Sequence, residues 1–124
     1  MILPWPDLVA DFAEFRRMMP EPPFALALEG IQSVAASIAG GPLNACLFGW
    51  TSMHDLCIQQ TAAQPYTAPY LRIAPQRSGM VEFRYNDTAK AERQWHREVP
   101  PGAAVARFES FLDQLRWVAR VSPG

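Results

Sequence analysis

Lysine is almost missing from this chain: Lys90 is the single one among 11 basic residues, the rest being arginine. Nor is there an excess of either sign, since 12 acidic residues leave a formal net charge of −1. Without a concentrated positive field nothing holds a phosphate backbone, so a nucleic-acid partner is not expected. Cysteine is equally scarce. Cys46 and Cys57 are the only two, too few for a disulfide framework and without the paired C-x-x-C of a structural zinc, so no metal and no cofactor are expected and a reducing, cytoplasmic setting fits best. Long apolar runs are missing too. No stretch approaches the ~20 apolar residues of a membrane span, and the opening "MILPWPDL" lacks the basic start and unbroken apolar centre of a secretion signal. The expectation is a cytoplasmic protein with no membrane role; a basic, interfacial terminal helix is the weaker alternative.

What is present is an ordinary globular composition, 49% hydrophobic and 19% charged over 124 residues. A chain of this length buries roughly two-thirds of the surface its unfolded form exposes and holds one core. With no internal repeat, low-complexity tract or linker, residues 1–124 are read as a single α+β domain.

Residues 7–19, "DLVADFAEFRRMM", place Leu8, Phe12, Phe15 and Met19 on one helical face, with Asp7 as the expected N-cap and "PEPP" as the stop. Residues 24–39 repeat that spacing with Phe24, Leu28, Ile31, Ala35 and Ile38, and Gly40 and Gly41 end it. Ser33, Ala36, Ser37 and Gly40 make a small-residue stripe that would let another element approach closely. From residue 45 the period changes to two. "ACLFGWTS" and "DLCIQQ" read as a hairpin, and a three-residue loop near Met53 and His54 would put Phe48, Trp50, Leu56 and Ile58 on one face. "AAQPYTAP" is a loop, because Pro65 and Pro69 cannot donate to a ladder.

The next hairpin is the clearest local signal. With "RSG" as a three-residue turn and Gly79 left-handed, Leu71, Ile73 and Pro75 share a face with Val81, Phe83 and Tyr85. A further strand, "QWHREV", sets Trp95 beside Tyr85. Residues 101–120 then form a helix striped by Val105, Phe108, Leu112, Leu115 and Ala119, with Phe111 widening the stripe. The assembled expectation is an antiparallel β-meander of four to five strands, with two N-terminal helices and a C-terminal helix packed on one face.

The charged face of that meander collects the candidate site: Tyr70, Arg72, Glu82, Arg84, His96 and Glu98. A Glu beside a His can share protons, and two Arg can hold an anion. The plainer reading is preferred, because alternating charges are what the wet side of an antiparallel sheet normally carries. "TSMHDLC" contains a hydroxyl, a histidine, an aspartate and a thiol, but neighbours on a tight hairpin point in alternating directions, and turn chemistry accounts for them. Metal ligation by His54, Cys57 and His96 lacks a second ligand pair.

Two functional classes remain. The first is a non-enzymatic protein-interaction or adaptor module acting as a homodimer, supported by an apolar strand at residues 45–50 that would sit at a sheet edge. Its interface candidates are Trp5, Leu47, Phe48, Trp50 and Tyr66, although Trp5 reads first as a packing anchor for the opening helix. The Pro-stiffened "PYTAPY" would present Tyr66 to a partner. The alternative is a binder of a small anionic carboxylate, or a weak acid–base enzyme, using the polar sheet face.

Overall fold

A computed structural model describes residues 1–117. Helix α1 (Trp5–Met18) and helix α2 (Phe24–Ala39) precede strands β1 (Phe48–Ser52), β2 (Asp55–Gln59), β3 (Tyr70–Pro75), β4 (Val81–Asn86) and β5 (Trp95–Val99), and helix α3 (Ala104–Leu115) follows. The strands form one antiparallel sheet in chain order, β1-β2-β3-β4-β5. The α+β meander with two leading helices and one trailing helix is therefore what the chain forms. Among the described residues no helix is long and apolar enough to cross a membrane.

The core lies between the three helices and one face of the sheet. Leu8 and Phe12 of α1, Leu28, Ile31, Val34 and Ile38 of α2, and Phe108 and Leu112 of α3 meet Leu56, Ile58, Leu71, Ile73, Val81, Phe83 and Val99. Phe111 packs on Phe83 and on Trp95 with ring centroids 5.0 Å apart in each case. Trp117, just past α3, closes on Tyr85.

Helix α1 starts two residues before the predicted Asp7 cap. Pro4 precedes it and Pro6 stands in its first turn, where a missing N–H removes no helical bond, so prolines that look like breakers open this helix and Asp7 lies inside it. Helix α2 has the predicted bounds. Its small-residue stripe does not carry the close approach expected of it: Ser33, Ala36, Ser37 and Gly40 are at least partly open to water apart from the packing of α2 on the core. The close approach falls at Gly30, where an added Cβ would lie 3.0 Å from Pro101. Helix α3 is shorter than the predicted 101–120. Pro101–Ala103 is a 3₁₀ turn, and after Leu115 the chain turns left-handed at Arg116, φ 57°; its N–H bonds Asp113 O, and the N–H of Trp117 bonds Leu112 O. These are the two hydrogen bonds of a Schellman stop. Ala119 lies outside the described residues.

The β3–β4 hairpin has the predicted register, with Pro75 opposite Val81, Ile73 opposite Phe83 and Leu71 opposite Tyr85, and Gly79 at φ 92°. The β1–β2 hairpin does not. Residues 42–45 form a 3₁₀ turn, so β1 begins only at Phe48. Ser52 pairs with Asp55, leaving a two-residue turn in which Met53 takes φ 58°. Changing the loop from three residues to two inverts one strand relative to the other. Leu56 and Ile58 face the core, while Phe48 and Trp50 lie on the opposite face.

Strand β1 is an edge, as a simple meander requires, and its apolar residues are covered by the chain itself. Trp5 and Leu8 lie so close over Gly49 that an added Cβ would come within 2.7 Å of the Trp5 ring. The Trp5 indole N–H donates to Leu47 O at 2.8 Å, and the Leu3 N–H donates to Gly49 O at 2.9 Å, closing part of the free edge.

Candidate functional site

The face of the sheet turned away from the helices is built from cross-strand rows. One row runs Trp50, Cys57, Arg72, Arg84, His96 and the next Phe48, Gln59, Tyr70, Asn86; Ser52 and Asp55 share this face at the β1–β2 end, as do Glu82 and Glu98 on β4 and β5. All six residues predicted for the polar face, Tyr70, Arg72, Glu82, Arg84, His96 and Glu98, thus stand on one surface. Its two halves differ in what covers them.

Over β1, β2 and β3 lies the connection of residues 60–69. The Gln59 amide nitrogen donates to Thr61 O at 2.8 Å and to Ala63 O at 2.6 Å, tying the base of this loop to the sheet. Farther along, Tyr66 takes φ 70°, a left-handed backbone that is uncommon for an aromatic residue. Its ring meets Trp50 and Tyr70 edge-on, each with centroids 5.2 Å apart, and Trp50 and Tyr70 are 5.7 Å from one another. Trp50 is the buried member of this trio, while Tyr66 remains 46% exposed. Burial pushes the Cys57 thiol up to about 12, against which the nearby Arg72 charge works only in part. The thiol is neutral at ordinary pH and is no nucleophile. Burial likewise raises the Tyr70 hydroxyl above its usual value.

Among the described residues three buried polar atoms here have no hydrogen-bond partner: the Trp50 indole Nε1, Gln59 Oε1 and Asn86 Nδ2. Gln59 and Asn86 are the two cross-strand neighbours of Tyr70, and Trp50 touches its ring. Sequence alone does not single out either amide. Period two assigns them to this face only once the β2–β3 register is known, and a ten-residue connection hides that register.

At the middle of the face Arg72 is occupied. Its Nε donates to Asp55 Oδ2 at 2.6 Å and its Nη2 to Ser52 Oγ at 3.3 Å. Burial opposes the guanidinium charge, but the bond to Asp55 and the neighbouring Cys57, Asp55 and Tyr66 groups together leave the Arg72 pKa above its ordinary value. Over β4 and β5 the face is bare. Arg84 Nη2 donates to Glu82 Oε1 at 3.2 Å within one strand, and His96 and Glu98 are exposed. Among the described residues Glu82 and His96 share no hydrogen bond, so the geometry holds no joined acid–base pair. Arg72 and Arg84 stand directly opposite one another, as do Glu82 and Glu98.

The hairpin residues of "TSMHDLC" diverge. His54 packs edge-on against Phe15 and Phe24 of the helices, with centroids 5.1 and 6.3 Å away, whereas Cys57 belongs to the open face. No group of three or more His, Cys, Asp and Glu converges among the described residues. Of the predicted interface residues, Trp5, Leu47 and Trp50 are buried within the chain, Phe48 is half-buried and Tyr66 is exposed. Leu47 and Phe48 also line an open crevice of about 480 Å³ with Leu3, Trp5, Ala39 and Asn44.

No protein-family model, curated protein or solved structure matches this chain.

Proposed function

We propose that this protein is a non-enzymatic interaction module that docks a partner protein on its open sheet face. The observation that carries this is an exposed tyrosine, Tyr66, held at φ 70° by two ring contacts, beside a row that continues through Arg72 and Arg84 to His96. Tyrosine and arginine are the residues that most often carry interface energy, and a pre-positioned ring loses little entropy on docking. The thiol is neutral and the Asp55 and Glu82 carboxylates are engaged with arginines, which favours recognition over chemistry. Self-association through residues 45–50 is the less favoured form of this reading, since the chain already covers most of that apolar strand. Two unpaired cysteines, one of them exposed, support a cytoplasmic setting.

The test is photo-cross-linking from two exposed positions, His96 on the face and Ser33 on α2, each replaced by a photoreactive residue. A discrete adduct from His96, absent from Ser33 and reduced by Arg84→Ala, supports the face as the docking surface. An adduct with the protein itself makes the partner a second copy. Equal adducts from both positions, or none from His96, overturn the proposal.

A second reading has one observation behind it: the opposed guanidinium groups of Arg72 and Arg84, with His96 beside Arg84, a short row suited to a small carboxylate. A thermal-shift screen of carboxylates against wild type and Arg84→Ala decides it, and equal stabilisation of both proteins by every ligand excludes it.

A further inference from the structure

Buried polar atoms are nearly always paired, and a group left without a partner calls for an explanation, strain, water, an ion or a ligand among them. Here three such atoms surround one side chain, Tyr70: a donor on Trp50, a donor on Asn86 and an acceptor on Gln59. Trp50 and Gln59 are 3% and 0% exposed. Two of the three lie beneath the 60–69 loop, which is tied to the sheet by the Gln59 amide and by the edge-on Tyr66 ring, and which is otherwise mostly exposed. Tyr66 adds a left-handed backbone conformation, a form of strain that persists where surrounding contacts hold it and that clusters at ligand clamps.

From this juxtaposition we infer that residues 60–69 are a lid which opens locally to admit a small, flat, uncharged molecule bearing both hydrogen-bond acceptors and an N–H donor. The class follows from what the site offers. Trp50 Nε1–H and the Asn86 amide donate, Gln59 Oε1 accepts, and the Trp50, Tyr66 and Tyr70 rings supply faces and edges for a planar group. Among the described residues no unpaired charge stands beside these atoms to receive an ion. Arg72 is taken up by Asp55 and Ser52, and Cys57 is a neutral thiol. A carboxylated analogue would bury its charge where the nearest cation, Arg72, is already paired with Asp55. A primary amide on a heteroaromatic ring, or a nucleobase-like ring, carries both the acceptors and the N–H donor that these atoms call for. The site shares Tyr66 with the surface proposed for partner docking, but opening of the lid is measured without any partner, so the two proposals stand or fall separately.

Cys57 provides the reporter, because it lies on the same face beside Trp50 and Arg72, while the only other thiol, Cys46, is exposed. In a Cys46→Ser protein, labelling of Cys57 by an aromatic disulfide reagent is followed against urea concentration. A lid gives labelling that is nearly flat at low urea and at least tenfold faster than the exchange of core amides, and Tyr66→Ala speeds it further. Nicotinamide, uracil or adenine at millimolar concentration then slows labelling several-fold, nicotinate does not, and Asn86→Leu abolishes the slowing while leaving the unliganded opening rate intact. Hydrogen exchange in residues 60–69 reads the same opening without any substitution. Labelling that tracks global unfolding at every urea concentration removes the lid. Local opening that none of the three neutral probes slows, or that nicotinate slows equally, removes the assigned ligand class.

Discussion

The two faces of this sheet exclude water by different means. On the helix side three helices lay down a continuous apolar layer, and the strand side chains that reach its centre, from Leu56 through Ile73 to Phe83 and Val99, are fully buried. On the other side, among the described residues, no helix is available. The chain folds a proline-stiffened loop over one half and leaves the other wet, so burial there falls from Trp50 and Cys57 at one edge to His96 and Glu98 at the other. The centre of the covered face is hydrocarbon, which leaves no polar group there in need of a partner. The half-covered face keeps indole, amide, guanidinium and thiol groups, some paired and some not. Substitutions that step across this gradient measure how much of the fold each region carries.

The largest effect is expected on the covered face. Phe83 is fully buried and packs on Phe111, and Phe83→Ala loses both transferred area and ring contacts, about 3–5 kcal/mol by chemical denaturation. A loss under ~1 kcal/mol would mean that this face is not the main source of stability. The capped half comes next, through pH. The Cys57 pKa in the folded protein is raised to about 12 from an ordinary 9.0, so its contribution is complete below about 9 and is lost as pH rises toward 12. Each tenfold change in proton affinity corresponds to roughly 1.4 kcal/mol, which sets the upper limit of this contribution at a few kcal/mol. Cys57→Ala should flatten the alkaline limb of the stability curve without abolishing it, because burial also raises Tyr70 and Tyr85. An unchanged limb would show that the 60–69 loop does not shield this thiol.

At the centre of the gradient the Asp55–Arg72 pair is about a quarter exposed, with side-chain accessibilities of 20% for Asp55 and 26% for Arg72. Asp55→Ala leaves the guanidinium with one hydroxyl partner and is expected to destabilise by about 1–2 kcal/mol, less than a fully buried pair because solvent still reaches it. Adding Arg72→Met should restore much of the loss, since the penalty is the stranded charge and not the missing bond. Failure of the double variant to recover would place a larger share of the energy in the Ser52, Asp55 and Arg72 cluster itself.

How far this gradient is legible in the sequence depends on where glycine and proline stand. "RSG" marks its own turn, and with Gly79 in the left-handed region the β3–β4 register, and with it the shared face of the polar residues, follows. "SMHD" carries no such mark. Met53 adopts φ 58° without being glycine, so a two-residue turn reads as a three-residue one, and Phe48 and Trp50 are then assigned to the wrong side. Asp7 reads as the helix cap, yet the prolines around Trp5 start the helix two residues earlier. Nothing local to residues 60–69 says that Tyr66 folds onto Trp50, because that contact depends on a register set elsewhere. For the same reason Gln59 and Asn86, which carry two of the unpaired atoms, are invisible as a pair until the strands are aligned.

The smallest effect belongs to the bare half, and it tests the comparison most sharply. Arg84 is 52% exposed at the side chain, its bond to Glu82 lies on solvated surface, and Arg72 stands directly opposite with the same charge. An exposed pair is worth a few tenths of a kcal/mol, and the facing arginine offsets part of that. Arg84→Ala should therefore change stability by no more than about 0.5 kcal/mol in either direction, with little dependence on salt, while weakening any complex formed on this face. A loss above ~1 kcal/mol in the isolated protein would make Arg84 a structural residue; the wet half would then no longer be free surface held for recognition, and the contrast between the two halves of the face would reduce to a difference in polarity alone.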